Sequence, residues 1–493
     1  MTTVLLLAPV AVPLLGAGLY LVAGWRPATR WVSTGSAVVT LAAAVALAVD
    51  VVASGPRAAL GGLARADALS AFMLIVIGVV GCLATAATPA FLRAEIGAGR
   101  ATARTAARHS VLVQLFLAAM ALAVVAGNLG VLWVAIEATT IVTAFLVGQR
   151  RTRQAVEAAW KYVVICSAGI ALALLGTFLL NYAARHAPGG PGLDLAALTH
   201  AAAGLDPGVT RIAVALLIIG FGTKAGLAPL HAWLPDAHSQ APAPVSALMS
   251  GVLLSVALYA ILRVKVVADA ALGTGFARSL LIVMALASLL LAASLLLAQR
   301  DYKRMLAYSS IEHLGLVAFG AAVGTPLALA AALLHVLGHG LVKGVLFLAA
   351  GRVLQTERTS RIDGVRGLAA RQPLLAGCLG SGVLALIGLP PFSVFASELG
   401  IARTGFAAGL GWATTAALAL VAVIAAALVT HTSRMLLGPA PEGPGAATAP
   451  VRLPRTLALV LVTGLVGSAA LGVAAGPLSS LVHLAADTLT GAS

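Results

Sequence analysis

Charge is what this chain of 493 residues has least of. Only 10% of its residues are charged, whereas about a quarter are charged in an ordinary soluble domain. Hydrophobic residues make up 60% of the chain, and the mean hydropathy is +1.03. This composition excludes a water-soluble globular domain and indicates a protein that crosses a membrane several times.

Cysteine is also scarce. The three cysteines, Cys82, Cys166 and Cys378, lie far apart in apolar runs, with no CxxC or Cys/His spacing. This gives no support for a disulfide, a zinc site or an iron–sulfur cluster. The sequence also lacks a nucleophile–base–orienter set, a phosphate loop, a GxGxxG fingerprint and any haem or flavin motif. We therefore expect no catalytic residue, no cofactor and no metal in this chain.

Apolar stretches long enough to cross a bilayer, about 20 residues each, recur along the whole sequence. They predict an all-α polytopic membrane protein with about 14 transmembrane helices, at residues 3–24, 32–53, 68–90, 110–127, 130–148, 160–182, 209–233, 242–268, 277–298, 305–323, 325–350, 374–400, 406–436 and 455–484.

The net charge of +15 comes from arginines that lie between the apolar segments, so we expect the lipid bilayer and not nucleic acid as the surrounding partner. Basic residues follow spans one, three, five, nine and eleven, whereas the connections after spans four and ten carry no Lys or Arg. The positive-inside rule then predicts a multi-pass protein of the inner (plasma) membrane with both termini outside.

A short motif occurs twice. GLAP at 226–229 returns as GLPP at 388–391, five spans later, within a second span that proline interrupts. Because five is odd, the two copies would run in opposite directions, as in transporters built from inverted repeats. The predicted organisation is a three-helix segment (1–109), two inverted five-helix repeats (110–268 and 277–436), each with a Pro-broken helix, and a C-terminal helix (437–493).

Ionisable residues inside spans are candidates for function, because burying one costs about 2.5–3.5 kcal/mol on insertion scales. Glu137 stands alone in LGVLWVAIEATTIVTAFLVG, and Lys224 lies in LLIIGFGTKAGLAPLHAWLP, about one turn before Pro229. We expect both to take part in proton transfer, with Glu137 beside Lys224. The alternatives are a carboxylate paired to a neighbouring helix and a lysine that reaches to the interface.

Histidines mark the remaining candidates. His231 and His238 flank WLPDA after the first break and are candidates for the proton path. The alternative for His238, and for Asp236, is a solvated position at the membrane interface. His335, His339 and Lys343 follow one another at i, i+4 and i+8 and predict a file of proton-relay groups. Zinc is the alternative for HxxxH, but no third protein ligand is evident. The last candidates are Glu312 and His313, which enter a span behind a charged, solvated loop, and Glu398 behind the second break.

Several blocks resemble the antiporter-like membrane subunits of respiratory complex I, the multisubunit cation/proton antiporters and the energy-converting hydrogenases. They are GFGTKAGLAPLHAWLPDAHSQAPAPVSALMSG, DYKRMLAYSSIEHLG and LLHVLGHGLVKGVLFLAAG. EAAWKYVVICSAGIALALLG and SSIEHLG look most like the large membrane subunit of the hydrogenase-4 and formate hydrogenlyase group. The resemblance implies that Glu137 pairs with Lys224, and that His335, His339 and Lys343 line a central water wire. Glu398 stands where many members have a lysine and some have a glutamate.

The sequence departs from the family after SALMSG, where many members carry a lysine or histidine and this chain has Ser250 and Ser255. The function expected from the resemblance is a proton-translocating subunit of a redox-driven complex, with other integral membrane subunits and a peripheral redox arm as partners. Two alternatives remain open. One is a subunit of a multisubunit Na+/H+ antiporter, and the other is a non-conducting or carbon-uptake membrane subunit.

Overall fold

A computed structural model of the chain describes residues 2–190, 192–438, 453–476 and 478–490. These residues form a helical bundle with one short hairpin, whose strands β1 (Arg57–Ala59) and β2 (Ala64–Ala66) pair antiparallel with Arg57 opposite Ala66. The helices are α1 Thr2–Ala23, α2 Val32–Ser54, α3 Ala68–Gly97, α4 Ala103–Val125, α5 Leu129–Val147, α6 Arg153–His186, α7 Leu195–His200, α8 Pro207–Ala225, α9 Trp233–Gln240, α10 Ala243–Leu248, α11 Leu254–Leu272, α12 Thr274–Leu297, α13 Tyr302–Val323, α14 Pro326–Glu357, α15 Leu368–Arg371, α16 Pro373–Leu386, α17 Ser393–Ala407, α18 Gly411–Leu437, α19 Arg455–Val473 and α20 Leu478–Thr490.

The predicted all-α polytopic membrane fold is confirmed. Thirteen helices within the described ranges are long and apolar enough to cross a membrane, and one of them joins α10 to α11 through a π-helical turn at Met249–Leu253. The span predicted at 374–400 is the exception, because it consists of the two shorter helices α16 and α17. Repeat boundaries at 110–268 and 277–436 stay a prediction.

The C-terminal segment differs from its predicted single span at 455–484. Helix α19 ends at Val473, and α20 begins at Leu478. The C-cap of α19, Ala474, is extended, and Gly476 in the connection to α20 has a left-handed φ of 43°. Helix α19 packs across the second proline break, where a Cβ added at Gly472 would lie 2.0 Å from the Pro391 carbonyl oxygen. Helix α19 therefore covers the second break.

The helices with the most polar sequences lie in the centre of the bundle. Helices α13 and α14 are almost wholly enclosed by protein, as is the span formed by α10 and α11. Only about a third of the most apolar segment of α1 or α18 is enclosed, and its remaining side chains face outward. The buried histidines and lysines thus belong to a core that other helices shield from lipid, the arrangement expected for ionisable residues within a membrane.

The connections between spans collect at two opposite ends. At one end, Gln355 lies near the C-terminal end of α14, and its Nε2 donates to Glu95 Oε1 at 2.9 Å. At the same end, Asp301 forms a β-bridge with Arg361. At the other end, Gly127 N donates to Leu63 O, and Asn128 bridges to Asp194. The arginine-rich connections that follow odd-numbered spans therefore share one end of the bundle, which agrees with the alternation of basic residues along the sequence.

Candidate functional site

The first break lies between α8 and α9, and protein groups satisfy the backbone that it frees. Gly226 has a left-handed φ of 77° and ends α8, directly after Lys224 and Ala225. Trp233 Nε1 then donates to the Thr223 carbonyl at 2.8 Å, and Ala228 N donates to Ser288 Oγ at 2.9 Å. An interrupted helix is tolerated at membrane depth only with such replacements. The break therefore holds Lys224 on the last turn of a helix, inside the bundle.

Lys224 is completely buried in a pocket of hydroxyl groups. Its Nζ donates to Thr140 Oγ1 at 2.8 Å and to the Tyr162 hydroxyl, and lies 4.6 Å from the centroid of the Tyr162 ring. The Thr143 hydroxyl donates to the Thr139 carbonyl and therefore accepts from Tyr162. The ammonium is thus stabilised by hydrogen bonds and a cation–π contact, and Tyr162 is a site residue that sequence reasoning missed.

Glu137 does not form the direct pair that the resemblance implies. Glu137 lies one turn before Thr140 on α5 and is partly buried, and the structure gives no ion pair between it and Lys224 within the described ranges. Its Oε2 finds no hydrogen-bond partner among the described residues. Lys224 instead donates to Thr140, one turn after Glu137, so a proton that moves between the carboxylate and the amine needs a hydroxyl or a water molecule as intermediate.

His238 is not solvated at an interface but wholly buried. Its ring stacks on Phe347 with centroids 5.2 Å apart and faces Trp233 on the other side at 6.5 Å. Both of its ring nitrogens are without a hydrogen-bond partner in the described part of the chain. Trp233 in turn contacts Tyr162 edge-on at 5.0 Å. His238 therefore lies between the Lys224 pocket and α14.

The two other polar residues of this segment, His231 and Asp236, lie in different surroundings. His231 lies in the break itself and is half-buried, and its Nδ1 has no partner among the residues described. Asp236 forms ion pairs with Lys161 at 3.1 Å and Arg304 at 2.8 Å, at the edge of the bundle. Asp236 is thus a surface residue, as the solvated alternative predicted for it.

Serines connect the central helices at the place where the family pattern has a base. Ser250, on the π-helical turn, lies 2.7 Å from Ser310 Oγ of α13. Ser310 donates to the Leu306 carbonyl, and Lys343 Nζ donates to the same carbonyl at 2.7 Å and to Ser309 Oγ at 2.5 Å. The Leu306 carbonyl accepts from both Ser310 and Lys343 and carries no proton of its own, so proton transfer between the π-helical turn and Lys343 needs a bridging water molecule.

The predicted file along α14 is instead a cluster that spans three helices. His335, His339 and Lys343 are all buried, but the direct hydrogen bond runs from His313 Nδ1 to His335 Nε2 at 2.9 Å. The His339 ring packs on His313 with centroids 5.0 Å apart, and no described hydrogen-bond partner meets His339 Nε2. His313 on α13 is therefore central to the cluster.

The direction of these hydrogen bonds follows from the last acceptor. Ser397 Oγ donates to the Val394 carbonyl at 2.8 Å, so it accepts from His335 Nδ1, which lies 2.9 Å away. His335 Nε2 then carries a lone pair and accepts from His313 Nδ1. In the neutral cluster His313 Nε2 is the free acceptor, and Glu312 Oε2 faces it at 3.9 Å. A proton can therefore be passed from His313 to His335.

Glu398 follows Ser397 and closes the cluster at the second break. A Cβ added at Gly388 would lie 2.1 Å from Glu398 Oε2, so the carboxylate rests directly on the backbone of the break. Its Oε1 is without a partner in the described ranges. Ligand atoms of His313, His335 and Glu398 all lie within 4.8 Å of one another. This triad takes only His335 from HxxxH, and its other two members come from α13 and α17.

Lys303 was predicted in a solvated loop, and this prediction is wrong. Only 1% of the side chain is exposed, and its Nζ donates to the carbonyls of Ser239 at 2.6 Å and Ala241 at 3.0 Å. The N-terminal turn of α13 packs against the end of α9, which covers the lysine. The local sequence, with Asp301 and Arg304 beside it, gives no signal of this burial.

A second missed set lies near the opposite end of the bundle. Asp67, the N-cap of α3, forms a bidentate pair with Arg263 at 2.6 Å, and Arg263 also donates to Ser70 Oγ. Burial by itself would raise the pKa of the Asp67 carboxyl, but Arg263 and the Ser70 amide outweigh it and lower the pKa to about 2. The carboxylate is therefore ionised, and Tyr259, 3.3 Å from Ser70 Oγ, continues this polar set inward.

Comparison with known proteins identifies a family whose sequence pattern covers the candidate residues. The family described as "NADH:quinone oxidoreductase/Mrp antiporter, TM" matches residues 126–425, which include every candidate residue from Glu137 to Glu398. A "Hydrogenase-4 component F homolog" of Methylacidiphilum infernorum is 40% identical over 366 residues, which are 74% of this chain and 77% of that protein. The chain belongs to this antiporter-like family.

Two further similarities extend the comparison. "Hydrogenase-4 component B" of Escherichia coli is 33% identical over 68% of this chain, and the chain spans only 49% of that protein. A subunit of the "membrane-bound sulfane sulfur reductase (MBS), an archaeal respiratory membrane complex" superposes with a TM-score of 0.86 and 27% identity, over 99% of this chain and 97% of the other. The family fold therefore extends over almost the entire chain.

Proposed function

We propose that the chain is a proton-translocating membrane subunit of a redox-driven respiratory-type complex. The observation that carries the proposal is a row of buried polar groups across the bundle centre. It runs from Lys224 and Tyr162 past His238 and the Ser250–Ser310 contact to Lys343 and the histidine cluster. Alternating donors and acceptors in a shielded core are suited to pass protons, with water bridging the longer gaps.

The proposal includes partners that hold the redox chemistry. In the comparison, the solved structure with the TM-score of 0.86 is of a respiratory membrane complex, and one relative is a hydrogenase-4 component F homolog. By this likeness, other integral membrane subunits pack against the bundle, and a peripheral redox arm drives the transport in the inner (plasma) membrane. Purification in mild detergent, followed by identification of the co-purifying subunits, tests this part.

Proton transport itself is tested on that purified complex in vesicles. Lys224→Ala removes the amine of the first pocket, and Glu137→Gln removes the nearby carboxylate. We expect donor-driven acidification to be abolished in both variants while the subunits still co-purify. The matched control is Glu157→Gln, because Glu157 is an exposed carboxylate paired with Lys161 and should leave transport intact. Normal acidification in both site variants would exclude the proposed role.

A cation/proton antiporter subunit is the second candidate, because the family description names the Mrp antiporter beside the quinone oxidoreductase. Proton flux that follows an imposed Na+ gradient, without an electron donor, would favour the antiporter. Flux that requires the electron donor and does not respond to Na+ would favour the redox-driven subunit.

A further inference from the structure

Three side chains from three helices meet at the second break in an arrangement suited to a metal ion. His313 of α13, His335 of α14 and Glu398 of α17 each present a ligand atom, and these atoms lie within 4.8 Å of one another. Both histidines are completely buried. Two imidazoles and one carboxylate are a ligand set of zinc sites that keep an open fourth position, whereas Ca²⁺ and Mg²⁺ prefer oxygen ligands.

The separations are close to those that a tetrahedral ion needs. With Zn–N bonds of about 2.0–2.1 Å, two ligand nitrogens lie roughly 3.3 Å apart. His313 Nδ1 and His335 Nε2 are 2.9 Å apart, so the nitrogens need only a small separation to admit an ion. Glu398 has to approach by at most about 1.5 Å to reach the same spacing, a movement within reach of a side chain whose Oε1 is unpartnered in the described ranges.

Of the two nitrogens that would not bind the ion, His335 Nδ1 already has a hydrogen-bond partner, and His313 Nε2 faces a carboxylate that lies beyond hydrogen-bonding distance. His335 Nδ1 donates to Ser397, which leaves the Nε2 lone pair directed at the cluster. If His313 bound through Nδ1, its proton would move to Nε2, where Glu312 Oε2 faces it at 3.9 Å. A carboxylate or hydroxyl behind each ligating histidine is the usual second layer of a metal site, because it fixes the ring and its tautomer.

We propose that His313, His335 and Glu398 bind a Zn²⁺-class transition-metal ion, and that the bound ion blocks proton transfer through the cluster. The ion occupies the lone pairs of His335 Nε2 and His313 Nδ1, which otherwise share the relayed proton. Binding moves the His313 proton from Nδ1 to Nε2 and releases the proton of Glu398 when that carboxyl is protonated. Metal binding stands independently of the proposed function, whereas the block rests on it.

Zn²⁺ titration of the full chain in detergent, followed by calorimetry, tests the binding. We expect one tight site in the wild type, and its loss in His313→Gln and in Glu398→Gln. Ser397→Ala should weaken binding by about 10–100-fold, because it removes the group that positions His335. His339→Gln is the matched control and should keep the site, since His339 belongs to HxxxH but not to the triad.

Three outcomes would overturn the binding proposal. They are an absence of tight binding in the wild type, full binding in Glu398→Gln, and loss of binding in His339→Gln alone. X-ray absorption of the Zn²⁺-loaded wild type supplies a readout that needs no variant to fold. Four nitrogen or oxygen ligands that include two imidazoles are expected, and coordination without imidazole would contradict the site.

The block is measured separately in the vesicle assay. Zn²⁺ should stop proton flux at the concentration that fills the calorimetric site, and a chelator should restore it. Tight binding with unchanged flux would overturn the block and leave the site intact. If the complex moves no protons at all, the proposed function fails, and calorimetry and X-ray absorption still decide the metal site.

Discussion

At the scale of single residues, the buried lysines are stabilised by hydrogen bonds to uncharged groups. Lys224 donates to two hydroxyls, and Lys343 donates to a serine and a carbonyl. No carboxylate forms an ion pair with either amine in the part of the chain that the structure describes. A proton can therefore leave either amine without separating a pair of opposite charges, which suits a group that must take up and release protons in turn.

Ser250 is the residue for which this view gives a direct test. Its hydroxyl is 2.7 Å from Ser310, and Ser310 shares the Leu306 carbonyl with Lys343. Ser250→Ala removes the only side-chain hydroxyl of the π-helical turn at Met249–Leu253, and with it one contact for the water that must connect Ser310 to Lys343, so we expect proton flux to fall roughly tenfold, the equivalent of about 1.4 kcal/mol.

The control for that change is Ser250→Thr, which keeps a hydroxyl at the same position and should retain most of the flux. Acidification rates of reconstituted complexes with equal amounts of the subunit provide the comparison. Equal rates in the alanine variant and the wild type would show that protons bypass the serine contact.

At the scale of elements, the π-helical turn at Met249–Leu253 decides how the two halves of the core meet. Gly251 on this turn and Gly340 on α14 lie backbone to backbone, and a Cβ added at Gly340 would be 2.8 Å from the Gly251 carbonyl oxygen. π-Helical turns are rare in proteins, and those that occur frequently lie at functional sites. Here the turn places Ser250 against α13 while the two glycines let α14 approach, with His339 directly before Gly340.

Gly340→Ala should disturb this contact. The added methyl group meets backbone atoms that cannot move alone, so we expect a loss of about 1–3 kcal/mol in stability and a lower unfolding temperature in detergent. Gly377→Ala on α16 is the matched control, because nothing lies within 4 Å of a Cβ at that position, and it should unfold at the wild-type temperature or slightly above. Equal unfolding temperatures for the two variants would contradict the tight packing.

At the scale of the whole molecule, the basic connections define one end of the bundle. A cavity of about 920 Å³ at this end is lined by arginines of the connections after spans three and five, namely Arg100, Arg104, Arg108, Arg150 and Arg151. By the positive-inside rule, such a concentration of positive charge predicts that this end faces the cytoplasm. With the even number of crossings predicted from the sequence, both termini are then predicted on the opposite side.

Reporter fusions test this orientation. Alkaline phosphatase fused after Ser493 should be active, because both termini are predicted outside, and a fluorescent protein at the same position should stay dark. The matched control is a fusion after Gly99, in the connection between α3 and α4, where the two reporters should give the opposite result. Fluorescence from the fusion after Ser493 would show that the orientation is reversed.

The sequence by itself determined the features that depend on local chemistry. Apolar length located the spans, proline and glycine located both breaks, and a charge within a span identified Glu137, Lys224 and the residues of α14. Each of these features can be recognised in the sequence, because a polar group inside a bilayer is energetically costly on any face of a helix. The all-α membrane fold and the family followed from the same local patterns.

Only the tertiary structure decided which groups meet. Lys224 contacts Thr140 and Tyr162 rather than Glu137, and Ser250 finds Ser310 where a base was expected. The end of α9 buries Lys303. His335 forms a hydrogen bond with His313 of a neighbouring helix and not with the next histidine of its own helix. These contacts depend on the rotation and close approach of helices far apart in sequence, and no local pattern encodes that geometry.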